Sequence, residues 1–104
     1  MRVALTTCPP DRAEALARAL VERGAACVNI LPGVRSIYRW QGEVHDDAEA
    51  LLVVKVAAAR AEELRSALPG LHPYELPEWV VLAPDAPLTS PAYAAWVRAC
   101  GARD

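Results

Sequence analysis

Short apolar stretches alternate with stretches of helical periodicity along this chain, and the alternation occurs twice. Residues 2–7 are short and apolar and are ended by Pro9-Pro10, which predicts a first strand buried on both faces. Asp11 then opens a helix in which Ala13, Leu16, Ala17, Leu20 and Val21 recur on one side, with Arg12, Glu14, Arg18 and Glu22 on the other. Gly24 stands where a C-terminal cap belongs. Residues 26–40 are rich in Val, Ile and Tyr and predict a second strand, interrupted at Leu31-Pro32-Gly33, where Pro removes a ladder donor and Gly permits a bulge. Gln41-Gly42 marks a hairpin turn, and the returning strand, 43–56, starts polar at His45-Asp46-Asp47 and becomes wholly apolar at Ala50 to Val54.

At about 3.3 Å per residue, a strand over 43–56 spans roughly 46 Å, longer than the roughly 34 Å diameter of a compact domain of this size. The hairpin tip is therefore expected to project beyond its own domain. A second helix is predicted over 59–68, with Ala61, Leu64 and Leu68 inward, ended by Pro69-Gly70. A last main strand over 78–83 follows, and then a helix capped by Ser90-Pro91 with Tyr93, Trp96, Val97 and Cys100 as its stripe.

Two strand-helix-strand halves joined by a hairpin are the pattern of an α+β, ferredoxin-like βαββαβ sandwich with an extra C-terminal helix, in a single domain over 1–104. Its antiparallel sheet carries both main helices on one face. Residues 50–54 and 79–82 lack polar alternation, so the other face is apolar too and needs cover. The hairpin and final helix of neighbouring copies are the available cover, which predicts a homo-oligomer of closed cyclic symmetry.

Composition narrows the function. The 104 residues carry 11 Lys and Arg against 13 Asp and Glu, with no basic cluster to hold nucleic acid or anionic lipid. The longest apolar run, 92–97, is far short of the twenty or so residues that cross a membrane, and no secretion signal is legible. Cys8, Cys27 and Cys100 are odd in number and widely spaced, which fits reduced thiols in the cytoplasm and neither a disulfide framework nor a zinc knuckle. No phosphate-binding glycine loop and no nucleophile elbow or zinc-protease motif occurs, so the chain is read as a binding protein and not an enzyme.

His72-Pro73-Tyr74-Glu75-Leu76-Pro77 is the most unusual stretch, two prolines fixing a loop that carries three functional side chains. It is either a site or a shaped turn in which His72 and Tyr74 hydrogen-bond the frame. Cys8, at the end of the first strand, is a packed thiol or a ligand, and paired with His72 as base it is also the one candidate nucleophile. His45 and Asp47, two apart on one strand, form half a surface metal site or part of a solvated arm, which Asp46 and Glu49 extend. Tyr38 and Trp40 share a strand face near the hairpin tip. Lys55, the only lysine, is a snorkelling edge residue or a charge kept for an anion.

Three segments in order, Ala26-Cys27-Val28-Asn29-Ile30-Leu31-Pro32-Gly33, Ser36-Ile37-Tyr38-Arg39-Trp40-Gln41-Gly42 and His72-Pro73-Tyr74-Glu75-Leu76-Pro77-Glu78, closely resemble the signatures of the CutA divalent-cation tolerance family. The resemblance implies a PII-like homotrimer with swapped hairpins and a link to copper and other divalent cations. It also implies a copper site made of a first-strand cysteine and two adjacent histidines. His72 matches the second histidine, Leu71 replaces the first, and Thr6 takes the cysteine's place with Cys8 two residues on. The metal candidates are therefore His72 and Cys8, binding copper or another divalent cation weakly, with no obligatory cofactor. The expected ligand pocket, at a subunit boundary, comprises Trp40, Lys55, His72, Tyr74 and Glu75: Lys55 for an anionic group, His72 and Glu75 for hydrogen bonds or a metal, Trp40 and Tyr74 as walls. The alternative is a PII-like signalling scaffold that binds a small anion or a protein partner.

Overall fold

The computed structural model describes residues 1–101; the last three positions of the expected domain lie outside the described residues. Strand β1 (Arg2–Cys8) leads through a 3-10 turn at Pro10–Arg12 into helix α1 (Ala13–Glu22). The long strands β2 (Cys27–Trp40) and β3 (Glu43–Val56) follow, then helix α2 (Ala58–Leu71), the short strand β4 (Val80–Leu82) and helix α3 (Pro91–Cys100). The sheet order is β2-β3-β1-β4 and every neighbouring pair is antiparallel, which is the ferredoxin-like arrangement expected from the sequence.

The core lies between the sheet and the first two helices. Ala4 and Cys8 of β1 and Ala50, Leu52, Val54 and Val56 of β3 point into it, against Ala13, Leu16, Ala17 and Leu20 of α1 and Leu64 and Leu68 of α2. Helix α1 ends in a Schellman motif, with the Gly24 N–H donating to the Val21 carbonyl and the Ala25 N–H to that of Leu20, and Gly24 supplies the left-handed φ of +117°. The Ser90 side chain caps α3 by accepting from the Tyr93 N–H at 3.2 Å.

Several boundaries differ from the sequence reading, each for a local reason. The turn Pro10–Arg12 precedes the first helix, which begins at Ala13 and not at Asp11. Helix α2 runs on through Pro69-Gly70 to Leu71. Proline deletes one hydrogen bond there, yet Leu68 is buried and Leu71 packs against the core, while the His72 N–H still reaches the Leu68 carbonyl at 2.9 Å. The expected strand over 78–83 shrinks to Val80–Leu82, bracketed by Pro77 and Pro84, which have no N–H to give a ladder. In α3 only Val97 of the expected stripe is buried, Tyr93 and Trp96 being half-exposed.

Strand β1 also departs from the expectation of burial on both faces. Ala4, Thr6 and Cys8 are buried, whereas Val3, Leu5 and Thr7 are only partly covered. The same alternation runs through β3, where Leu51, Val53 and Lys55 share the partly covered face, and Leu31 and all of β4 are exposed. One face of the sheet is thus apolar and incompletely covered within the chain.

Strand β1 pairs with β3 only from Ala50 to Val56. The rest of β3, Glu43 to Glu49, pairs with β2 alone and forms a two-stranded arm, which stretches the molecule to 44 × 29 × 22 Å. A register shift between Leu31 and Val34, with Gly33 at φ +75°, bends the arm at its root. Gln41 and Gly42 turn its tip with φ values of 51° and 80°, both left-handed, as a two-residue type I′ turn requires.

Candidate functional site

The bend at Leu31/Val34 carries the arm over the loop that follows α2, and a cleft of about 630 Å³ opens between them. From the arm come Ser36, Ile37, Tyr38 and Trp40, from the root of β3 Glu49, and from the loop Pro73, Tyr74, Glu75, Leu76 and Glu78, with Thr7 at the back. Its size falls within the range typical of small-molecule sites.

His72 positions the loop. The residue is only 6% exposed; Nδ1 accepts the Tyr74 backbone N–H at 3.1 Å and Nε2 lies 2.8 Å from the Thr7 carbonyl. A carbonyl only accepts, so Nε2 carries the proton and the tautomer is fixed by its two partners. Both nitrogens are engaged, and the one free lone pair, on Nδ1, is taken by the Tyr74 N–H. The rings of His72 and Tyr74 lie 4.9 Å apart, tilted by 51°.

Tyr74, so placed, donates its hydroxyl to Glu49 Oε2 at 2.7 Å. Burial, followed by this hydrogen bond, drives the Tyr74 phenol far above its ordinary range. Glu49 is itself only 6% exposed, on the face of β3 that also carries Leu51 and Val53. Its charge, after burial, helps to raise the Glu78 carboxyl and the Cys8 thiol above their usual values, with Arg12 opposing the rise at Cys8. Cys8 is fully buried beside Ala50, and a raised thiol is a poor thiolate. Further out, Tyr38 stacks on His45 at 5.4 Å and donates its hydroxyl to Asp47, which pushes the phenol up. Three carboxyl side chains line the cleft, Glu49, Glu75 and Glu78, and among the described residues its lining includes no Lys or Arg.

The residues singled out from the sequence separate into three places. Trp40, Tyr74 and Glu75 meet in the cleft, and His72 stands behind it as a frame. Lys55 is elsewhere: it pairs with Val3 and Cys27 near the far end of β3, and its ammonium donates to Asn29 Oδ1. At about 3.3 Å per residue, Lys55 lies about 20 Å along the strand from Glu49. Lys55 therefore does not supply the cleft of its own chain with a positive charge. Among the described residues no group of three His, Cys, Asp or Glu side chains is close enough to hold a metal ion. Glu49 escaped the sequence reading, which grouped it with the solvated arm. The signal was its parity, since Glu49, Leu51, Val53 and Lys55 alternate onto one face of β3 at the margin of the apolar run.

The family model of the CutA1 divalent ion tolerance protein matches residues 2–100. The chain belongs to the CutA family. It is 52% identical over 82 residues to the divalent-cation tolerance protein CutA of Thermus thermophilus, covering 77% of this chain and 80% of that one. It is 40% identical over 96 residues to Protein CutA of Bos taurus, covering 91% of this chain but only 53% of the relative, so it spans about half the bovine protein. Among solved structures, the PII-like protein CutA from Nostoc sp. PCC 7120 in apo form superposes with a TM-score of 0.93 at 44% identity, with 98% of each chain covered. The solved divalent cation tolerance protein from Thermus thermophilus gives 0.89 at 45% identity, covering 98% of this chain and 100% of that one. The PII-like CutA fold of the single chain, expected from the three sequence segments, is thereby established.

Proposed function

We propose that the protein is a cytosolic homotrimeric ligand-binding protein of the divalent-cation response, without enzymatic activity, and that the cleft under the arm is its ligand site. The observation that carries this reading is the placement of the cleft. It sits where the arm leaves its own sheet, beside the apolar face that the chain covers only in part. Closing that face against neighbouring copies buries Leu5, Leu51 and Val53 and brings the arm of one protomer onto the next, so the cleft comes to lie at a subunit boundary.

A second reading, a PII-like signalling scaffold whose effect on metal tolerance is indirect, is favoured by the state of the implied copper ligands. His72 uses both nitrogens in the frame, and the Cys8 thiol is buried with its ionisation suppressed. A copper ion bound by these two residues has to displace the Thr7 carbonyl or the Tyr74 N–H.

Native mass spectrometry of the purified protein, alone and titrated with Cu(II) and Zn(II), tests both readings. A trimer taking one metal per protomer, lost in His72→Ala, supports direct metal binding. A trimer that stays bare supports the scaffold. A monomer at micromolar concentration refutes the proposed assembly and with it the subunit-boundary site.

A further inference from the structure

Resting on the reading of the cleft as a ligand site, we propose that the group it takes is an organic cation, an ammonium or guanidinium, and neither an anion nor a bare metal ion. The observation that points to a ligand is Glu49, which is more than nine-tenths buried, lines the cleft, and among the described residues receives one hydrogen bond, from the Tyr74 hydroxyl. A carboxylate accepts about four hydrogen bonds, and among the described residues Glu49 receives one and has no salt-bridge partner, so it keeps acceptor capacity for a group entering the cleft.

The surroundings select the sign and the kind of partner. Glu75 and Glu78 join Glu49 in the lining and, among the described residues, no Lys or Arg does, so an anion entering the cleft meets three acidic side chains. Lys55, which was expected to attract an anion, lies at the other end of the strand. A bare metal ion needs three or more donors converging on one point, and the described residues contain no such group. The lining also includes three aromatic side chains, Trp40, Tyr38 and Tyr74, and aromatic rings attract ammonium and guanidinium groups. Such a group has two sources, a free amine or guanidine and a Lys or Arg side chain of a neighbouring copy.

The test uses butylammonium and ethylguanidinium as probes and butyrate as the anionic control, each titrated into the intact, 15N-labelled protein while the Trp40 indole N–H resonance is followed. A free cation as source gives a saturable shift with both cations, none with butyrate, and affinity about tenfold weaker in Glu49→Gln. Glu78→Gln, with an expected loss of about threefold, serves if Glu49→Gln does not fold. A neighbour's side chain as source leaves the free probes without effect, while Glu49→Gln weakens assembly about tenfold and Lys55→Met or Arg39→Met weakens it equally. Binding of butyrate, or cation affinity unchanged in both glutamine variants, overturns the cation assignment and leaves the cleft standing as a ligand site. No shift with any probe, together with unchanged assembly in Glu49→Gln, removes both.

Discussion

Arg60 ties together the C-terminal ends of two helices, α1 and α3, and its removal is the sharpest test of how this small fold is held. Its guanidinium donates from Nη2 to the Arg23 carbonyl at 2.9 Å and from Nη1 to the Gly101 carbonyl at 3.2 Å, while Nε lies 2.7 Å from a Glu63 carboxylate oxygen. Arg23 and Gly101 are the C-caps of α1 and α3, so both acceptors belong to helix ends that carry partial negative charge. A charged donor contributes about 1.5–3 kcal/mol per hydrogen bond, but the 3.2 Å bond is long and the side chain is 15% exposed, so Arg60→Ala is expected to cost about 2–4 kcal/mol. Arg60→Lys keeps the charge but loses the fork that reaches both carbonyls, and should recover less than half. The assay is equilibrium guanidinium unfolding followed by circular dichroism at one fixed protein concentration. Gly24 provides an internal check, because a Cβ there would come within 2.7 Å of Arg60 Nη2 at a backbone φ of +117°. Gly24→Ala should therefore be less harmful in the Arg60→Ala background, where only the backbone strain remains. A change below about 0.5 kcal/mol for Arg60→Ala, or full rescue by lysine, would refute the argument.

Leu52 is fully buried on the helix side of β3, and Leu52→Ala should cost about 2–5 kcal/mol in the same unfolding assay; a smaller loss would mean that the core closes over the gap. Tyr38, Tyr74 and Tyr93 all have phenols raised above the ordinary value near 10, Tyr38 chiefly by its bond to Asp47 and the other two chiefly by burial. The unfolded chain then loses its phenolic protons first, so stability holds below about pH 10 and falls as pH rises through and beyond it. Ultraviolet titration should show native tyrosine ionising at higher pH than the same protein in guanidinium, and coincident curves would contradict the assignment. At the arm's tip, Gln41 occupies the left-handed region at φ 51°, which asparagine tolerates better. Gln41→Asn should stabilise the hairpin by a few tenths of a kcal/mol, read as slower amide exchange along Val34 to Trp40.

The elements were legible where one chain segment decides them. The periodicity of Ala13 to Val21, the alternation broken at Leu31-Pro32-Gly33 and the Ser90-Pro91 cap each act through neighbours a few residues away, and each is found in place. The excess length of 43–56 over a compact domain also announced the arm, because strand rise is nearly constant. Helix α2 outran its proline because Leu68 and Leu71 are held by the core, a tertiary effect that local propensity does not contain. The placement of Lys55 away from the cleft and of Glu49 in its lining has the same origin. Both stand at the ends of one apolar run, and only the pairing of β1 with Ala50 to Val56 decides that the arm departs at Glu49 and forms its cleft there.

The His72 motif shows how a residue type that reads as a ligand becomes a frame. A histidine offers a metal one unprotonated nitrogen, and in this chain that nitrogen, Nδ1, already accepts the Tyr74 N–H, two residues along the loop. The other nitrogen fixes the ring to the Thr7 carbonyl, and Tyr74 in turn reaches across to Glu49. The three contacts form one chain of hydrogen bonds from β1 through the proline-rich loop to β3. A metal ion at His72 cannot be added to this chain without breaking a link of it, so metal occupancy and the position of the Tyr74 wall are alternatives within the same structure. The loop's two prolines narrow its other conformations, and the link that breaks is then felt at Tyr74 and Glu49, inside the cleft. A metal at His72 would therefore act on the cleft by changing its shape.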